Sequence, residues 1–286
     1  MIKIAVASGK GGTGKTFFAT NLFSMMQREG YRTALVDCDA EVPNDKVFFD
    51  TRQMMSWQTQ LLCPEVNPSA CTFCGVCADH CHFNVITCIP AAHYINILPD
   101  LCHGCSSCLY DCQEGAIKQA YKTIGQVTAY RTSTPVPDLF EARLKEGEHS
   151  PVAVIRQAIA HAEEWNYDYL ILDAPPGCSC PFVHTVMGAD RVVLVTEPTP
   201  FGLSDLRHSV QVLRQLKKKF SVVINRSDLG TSALKDWLTA EQIPLLAEIP
   251  FAREVARIYA DGGMVSASLP QFEQLFHQLV HQILKP

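Results

Sequence analysis

Apolar residues in this chain fall into short β-branched runs separated by longer stretches with helical spacing. The first run, IKIAVA at residues 2–7, reads as a buried strand. It feeds a glycine-rich loop, SGKGGTGK, and then TFFATNLFSMMQREG, whose apolar positions keep helical spacing as far as Gly30. Four later runs repeat the strand pattern and close on polar residues: YRTALVDCD on Asp37 and Asp39, YDYLILDAPPG on Asp173, DRVVLVTEPT on Glu197 and FSVVINRSD on Asn225. Between the last two, FGLSDLRHSVQVLRQLKKK has helical spacing. Continuous apolar strands alternating with helices predict an α/β fold with a mostly parallel sheet and helices on both faces. Ligand chemistry in such sheets gathers at the carboxyl ends of the strands, where these polar residues stand. Near the end of the chain, LPQFEQLFHQLVHQILK sets Leu269, Phe272, Leu275, Phe276, Leu279, Val280, Ile283 and Leu284 on one stripe. A membrane-surface helix would carry Lys and Arg opposite that stripe. Here there are Gln, His, Glu and a single Lys285, so docking onto the protein's own sheet is expected.

The glycine-rich loop carries the spacing G-x-x-x-x-G-K-T at Gly9, Gly14, Lys15 and Thr16, between a strand and a helix as that motif requires. Glycines let the backbone N–H groups of Gly11, Gly12, Thr13 and Gly14 close around phosphate oxygens, and the helix start, through Phe17, adds its positive dipole end. Lys15 is placed to reach the outer phosphates of ATP and the Thr16 hydroxyl to bind Mg²⁺. Asp173, closing LILD, fits a carboxylate that holds Mg²⁺ through water. An aspartate at a strand end also serves simply to start a turn.

Read as a whole, KGGTGKT with its extra Lys10 resembles the deviant Walker A motif of the MinD/ParA/Mrp superfamily of P-loop ATPases, which includes the nitrogenase iron protein. DCDAEVPN, DAPPG and VVINR resemble that superfamily's first switch, second switch and adenine-reading strand end. EARLKEGEHS, PPGCSCP and EPTPFGLSDL look like the members that carry an inserted ferredoxin domain. The resemblance implies a homodimer closed over ATP, in which Lys10 crosses to the partner's phosphates and Asp39 sits beside the attacking water. It also implies that Asn225, with Arg226 next to it, meets the adenine, and that turnover is slow and partner-stimulated. Without a partner, Lys10 reads as a solvated lysine.

The middle of the chain breaks the α/β pattern. Cys71, Cys74, Cys77 and Cys81 follow C-x2-C-x2-C-x3-C, and Cys102, Cys105, Cys108 and Cys112 repeat it. Three closely spaced thiolates wrap one face of a cubane while the fourth comes from the other cassette. One [4Fe–4S] cluster is therefore expected on Cys71, Cys74, Cys77 and Cys112, and a second on Cys102, Cys105, Cys108 and Cys81. Zinc is the competing metal. His82 and Gln113 stand where proline usually follows the fourth cysteine, which relaxes a turn and removes no ligand. FNVITC after the first cassette is echoed by EGAIKQA after the second, and YINI between them suits a hairpin. Residues 63–119 thus read as a small inserted α+β ferredoxin-like domain, within an ATPase domain formed by 1–62 and 120–286. A unit so small depends on metal staples.

Cys178 and Cys180 follow the second-switch motif directly. Cys180 matches the related ATPases and Cys178 is an addition. The pair reads either as plain thiols at a helix start or as a metal-handling site shared across a dimer. Cys38, Cys63 and Cys88 read as packing residues, and His80, His82 and His103 as loop residues near the clusters. Thirteen cysteines without a disulfide pattern suit a reducing, cytoplasmic setting. A net charge of −5 with no basic stripe gives no footprint for nucleic acid. The first apolar run is too short for a signal peptide, and no stretch is long enough to span a membrane. These readings converge on a cytoplasmic dimeric ATPase that couples Mg-ATP binding and hydrolysis to electron transfer through iron–sulfur clusters to a redox or metallocluster partner. The alternative is ATP-dependent metallocluster assembly or delivery using Cys178 and Cys180.

Overall fold

Strand β1 (Ile2–Ala7) alternates its side chains between two cores: Ile4 and Val6 face one, Ala5 and Ala7 the other, all fully buried. The computed structural model describes residues 1–285, and the elements after β1 follow in this order. First come α1 (Lys15–Arg28), β2 (Thr33–Asp37) and β3 (Arg52–Leu62). Next are β4 (Glu65–Val66), α2 (Val76–Asp79), β5 (Ile86–Ile89), β6 (Tyr94–Ile97), α3 (Ser107–Asp111) and β7 (Ile117–Lys118). The chain then returns through β8 (Tyr121–Arg131), β9 (Leu139–Leu144), α4 (Val152–Glu163), β10 (Tyr169–Asp173), α5 (Cys180–Met187) and β11 (Arg191–Thr196). It ends with α6 (Pro200–Gln215), β12 (Phe220–Asn225), α7 (Ala233–Ala240), β13 (Leu245–Ile249), α8 (Arg253–Ala260), α9 (Val265–Ser268) and α10 (Pro270–Leu284).

Nine strands form one sheet in the order β13-β12-β11-β1-β10-β2-β9-β8-β3. Neighbours from β13 to β9 are parallel, while β8 runs antiparallel to β9 and β3 antiparallel to β8. One face packs Ile4, Val6, Leu35, Ile171 and Val193 against Phe18 and Phe23 of α1 and Phe276 of α10. The other packs Ala34, Val36, Leu170 and Leu194 against Ile155 and Ala158 of α4, Phe182 of α5 and Leu206 of α6. The apolar stripe of α10 docks on its own chain, with the Phe276 ring 5.6 Å from that of Phe18 and 6.1 Å from that of Phe17. Among the described residues, no helix is long and apolar enough to cross a membrane.

β3 and β8 set where the middle segment sits. They pair over ten positions, from Arg52 with Arg131 to Leu62 with Tyr121. β8 is held to β9 only as far as Gly125 opposite Leu144, with one more bond from the Lys145 N–H to the Ile124 carbonyl. The ladder therefore runs past the carboxyl edge of the parallel strands, the edge that bears the glycine-rich loop. Beyond it, β4 pairs with β7, β5 pairs with β6, and α2 and α3 pack between them around Cys77, Val85, Ile86, Cys108 and Ile117.

Candidate functional site

The loop after β1 takes its shape from glycines placed where a side chain would not fit. Gly14 caps α1 in a left-handed conformation (φ 93°), and a Cβ there would lie 2.2 Å from Asn225 Nδ2. A Cβ on Gly9 would lie 2.5 Å from the Asp205 carbonyl oxygen. Asn225, at the end of β12, donates from Nδ2 to the Thr13 carbonyl (2.9 Å) and accepts the Arg226 N–H on Oδ1 (3.0 Å). Its side chain thus buttresses the loop as well as lining the cavity beside it.

Under the loop lies a buried charge cluster. Lys15 Nζ donates to Asp173 Oδ1 (2.8 Å), and Thr16 Oγ1 donates to Asp173 Oδ2 (2.7 Å). Asp37 accepts the backbone N–H groups of Asp39 (3.1 Å), Asn44 (2.8 Å) and Asp45 (3.0 Å). Neither oxygen of the fully buried Asp45 meets an N–H or hydroxyl donor among the described residues; a proton shared with Asp173 or a bound cation would satisfy it. Burial pushes Asp37 up to about 7, reinforced by the Asp173 carboxylate and opposed by its backbone donors. Burial first, then Asp37 and Asp173, drives Asp45 well above the carboxylate range. Burial also works against the Lys15 ammonium, yet Asp173, Asp45 and Asp37 outweigh it and leave its pKa raised. Carboxylate oxygens of Asp37, Asp45 and Asp173 lie within 4.8 Å of one another. With the Thr16 hydroxyl beside them, they offer the all-oxygen set that a hard cation such as Mg²⁺ takes, and the orphaned Asp45 oxygens fit that charge. Asp39 is raised by partial burial, against the pull of Lys15. Within the chain, Lys10 Nζ lies 3.8 Å from Glu197 Oε2 at the end of β11, and Arg226 pairs with Glu197 Oε1 at 2.5 Å.

Beside the loop is a cavity open to solvent. Gly12, Gly14, Phe17, Asn225 and Arg226 form one wall, and Pro250, Phe251, Ala252, Val255 and Tyr259 form the other. The second wall is absent from the sequence reading. It follows β13, so the strand-end rule would have pointed to it had β13 been recognised. Tyr259 stacks on Phe48 (4.8 Å between ring centroids), which ends the short turn begun by Asp45. The acid cluster and the cavity wall are therefore in contact through one aromatic pair.

In the middle segment the two cassettes share a backbone design. Phe73 (φ 56°) and Gly104 (φ 69°) precede the second cysteine of each, and Gly75 (φ 84°) and Ser106 (φ 69°) follow it. Asn84 (φ 53°) and Gly115 (φ 59°) stand three residues past the fourth cysteine of each. Left-handed residues at matched positions turn consecutive N–H groups into a concavity suited to an electron-rich group. The Phe73 N–H already lies 3.3 Å from Cys71 Sγ. Cys71, Cys74, Cys77 and Cys112 line one cavity. Cys102, Cys105, Cys108 and Cys81 line another, smaller one. Each set draws its fourth thiol from the other cassette. Burial and neighbouring cysteines push Cys77 and Cys108 up to about 11, so a positive centre is needed to hold them as thiolates. His80 Nδ1 and Asp111 Oδ2, at matched positions in the two repeats, touch at 2.9 Å, and His103 stacks on Phe83 (4.0 Å). Cys88 is half-buried with Sγ 3.7 Å from the Phe73 carbonyl, Cys63 is buried beside Cys102, and Cys38 is fully buried at the end of β2.

Cys178 is half-buried, its Sγ 3.2 Å from Ser209 Oγ on α6, and Cys180 is exposed at the first position of α5. The loop before them is tied to the phosphate loop, since the Gly177 N–H donates to the Ser8 carbonyl (3.1 Å) and Ser8 Oγ donates to the Lys10 carbonyl (2.8 Å).

Known proteins place this geometry in context. The family described as CobQ/CobB/MinD/ParA nucleotide binding domain matches residues 4–265. An iron-sulfur cluster carrier protein of Pseudomonas fragi is 48% identical over 280 residues, covering 92% of this chain and 77% of its own. An uncharacterized protein of Methanocaldococcus jannaschii is 28% identical over 264 residues, covering 92% of this chain and 90% of its own. The structure of the septum site-determining protein MinD of Pyrococcus horikoshii with Mg-ADP superposes with a TM-score of 0.59 at 18% identity, over 99% of this chain and 96% of that one.

Proposed function

The chain belongs to the CobQ/CobB/MinD/ParA nucleotide-binding family, and from that premise we propose that it is a homodimeric Mg-ATP-driven switch that gates electron transfer through two [4Fe–4S] clusters to a partner protein. The observation that carries this reading is the pair of cavities, each lined by four thiols drawn from both cassettes. Four thiols per cluster close its coordination, as suits a resident carrier, and crossed ligation follows the tandem-cassette rule. When bound, such clusters supply one-electron chemistry.

The chain's own residues do the rest. The loop N–H groups and Lys15 hold the phosphates, so Lys15 exchanges Asp173 for an outer phosphate oxygen as ATP enters. Thr16 and Asp173 hold Mg²⁺, Asp39 orients the attacking water, and Lys10 leaves Glu197 to meet the partner subunit's phosphates. The cavity beside Asn225 takes the adenine between Phe17 and Tyr259. Gly177 transmits loop movement to Cys178, and the insert at residues 63–119 rides on β3 and β8 at the same edge.

A second reading, ATP-dependent carriage of a metallocluster, is favoured by the similarity to the Pseudomonas fragi iron-sulfur cluster carrier protein and by the exposed Cys180 beside Cys178. One experiment separates the two. Reduced, anaerobic protein is mixed with a redox acceptor and with an apo iron–sulfur acceptor, with and without ATP. Loss of the reduced-cluster EPR signal that requires ATP, with about eight irons per chain retained, supports electron transfer. ATP-dependent movement of iron to the apo acceptor supports carriage. Zinc in place of iron in the purified chain overturns both.

A further inference from the structure

α10 carries histidines at 277 and 281, one helical turn apart and so on one face. Facing them is Glu29, the residue that closes the C-terminus of α1. His277 Nδ1 lies 2.7 Å from Glu29 Oε1, and His281 Nε2 lies 3.9 Å from Glu29 Oε2. The two rings stand nearly perpendicular with centroids 4.6 Å apart, and one ligand atom from each of the three residues lies within 4.8 Å of the other two. We propose that Glu29, His277 and His281 form a site for a divalent first-row transition ion, separate from the nucleotide and cysteine sites.

The chemistry selects the ion class. Two imidazoles and one carboxylate suit zinc and its neighbours, whereas Mg²⁺ and Ca²⁺ seek oxygen sets. With each donor roughly 2.0–2.2 Å from a tetrahedral ion, adjacent donors stand about 3.4 Å apart. The Glu29–His277 pair is already within that spacing, and His281, half-exposed, closes the remainder by side-chain rotation. A hydrogen bond accounts for His277 alone; the placement of His281 as a second nitrogen donor is what a metal uses. The local field favours a cation, because the last carbonyls of α1 present its negative dipole end here. The nearest guanidinium, Arg28, is engaged by Glu273. Three protein ligands leave positions for water, so the ion exchanges readily. Its consequence is mechanical. α1 begins at the phosphate loop, so an ion at this site pins the far end of that helix, about 20 Å away at 1.5 Å per residue, to α10.

The test uses the cluster-loaded chain carrying Cys178→Ser and Cys180→Ser, which removes competing exposed thiols. Equilibrium dialysis against Zn²⁺ alone, with metals counted by mass spectrometry, is expected to add one zinc per chain with iron unchanged. His277→Ala or His281→Ala abolishes that zinc, and Glu29→Gln weakens its binding. Zinc raises the melting temperature of the parent and leaves that of the double histidine variant unmoved. The two histidines are half-exposed, so both proteins melt alike in chelator. Equal zinc uptake by the double histidine variant, or no zinc-dependent rise in the parent, overturns the site.

Discussion

Around the phosphate loop, every functional side chain rests on two layers of buried aliphatic and aromatic residues that sandwich a nine-stranded sheet. In residues 63–119 the buried core cluster is Cys77, Val85, Ile86, Cys108 and Ile117, so two of its five members are themselves expected metal ligands. The contrast shows where each region's order comes from. The sheet domain shapes its site before any ligand arrives and tolerates an orphaned acid such as Asp45 because packing elsewhere offsets it. The cysteine unit has too little apolar surface to do this, so the proposed clusters would be part of its fold.

The strongest test of that contrast is removal of iron. Anaerobic chelation is expected to strip amide-exchange protection from residues 63–119 while tryptophan fluorescence stays native, since Trp57, Trp165 and Trp237 all lie in the sheet domain. A simultaneous tryptophan change would mean the two regions fold as one. Next, Lys15→Ala should lower ATP turnover by roughly a thousandfold or more, the scale of losing a phosphate-stabilising cation, without altering iron content. Smaller is Gly14→Ala. It forces a side chain into φ 93° and displaces Asn225 from the Thr13 carbonyl, which should cost roughly 1–3 kcal/mol in urea unfolding followed by tryptophan.

The finest test concerns pH. Asp37 sits at about 7 in the folded chain against about 3.9 unfolded. Between those values the folded form keeps a proton that the unfolded form has released. Without nucleotide and Mg²⁺, Asp37 therefore makes the sheet domain lose stability as pH rises towards 7, by at most roughly 1.4 kcal/mol per pH unit for its one proton, and Asp45, raised further, adds to that loss and continues it above 7. Asp45→Asn removes a repelling neighbour, lowers the Asp37 pKa and should flatten the slope. An unchanged slope would mean the cluster does not titrate as a unit.

Much of this was legible beforehand, for physical reasons. β1, β2, β10, β11 and β12 are buried on both faces and leave unbroken apolar runs. The cysteine spacing predicts two sets of four, and each set lines one cavity. β3 hid because seven of its eleven residues are exposed, so burial imposes no apolar alternation on it. β13 is mostly exposed or half-buried, and missing it hid the Pro250–Tyr259 wall of the cavity. Asp45 falls outside every motif, and only the folded chain brings it beside Asp37 and Asp173. Asn225 was expected at the adenine, while its grip on Thr13 depends on a glycine more than two hundred residues away.

Leu62 and Tyr121 are cross-strand partners, so the chain leaves the sheet and returns to it at a single point. To the sheet, residues 63–120 are equivalent to a hairpin turn of unusual size. Its register is set by β3 and β8 alone, and the closure cost of a longer loop grows only logarithmically. The cysteine unit is therefore an exchangeable cartridge. One fold can gain, lose or trade it without renegotiating its core, provided the two strand ends still meet.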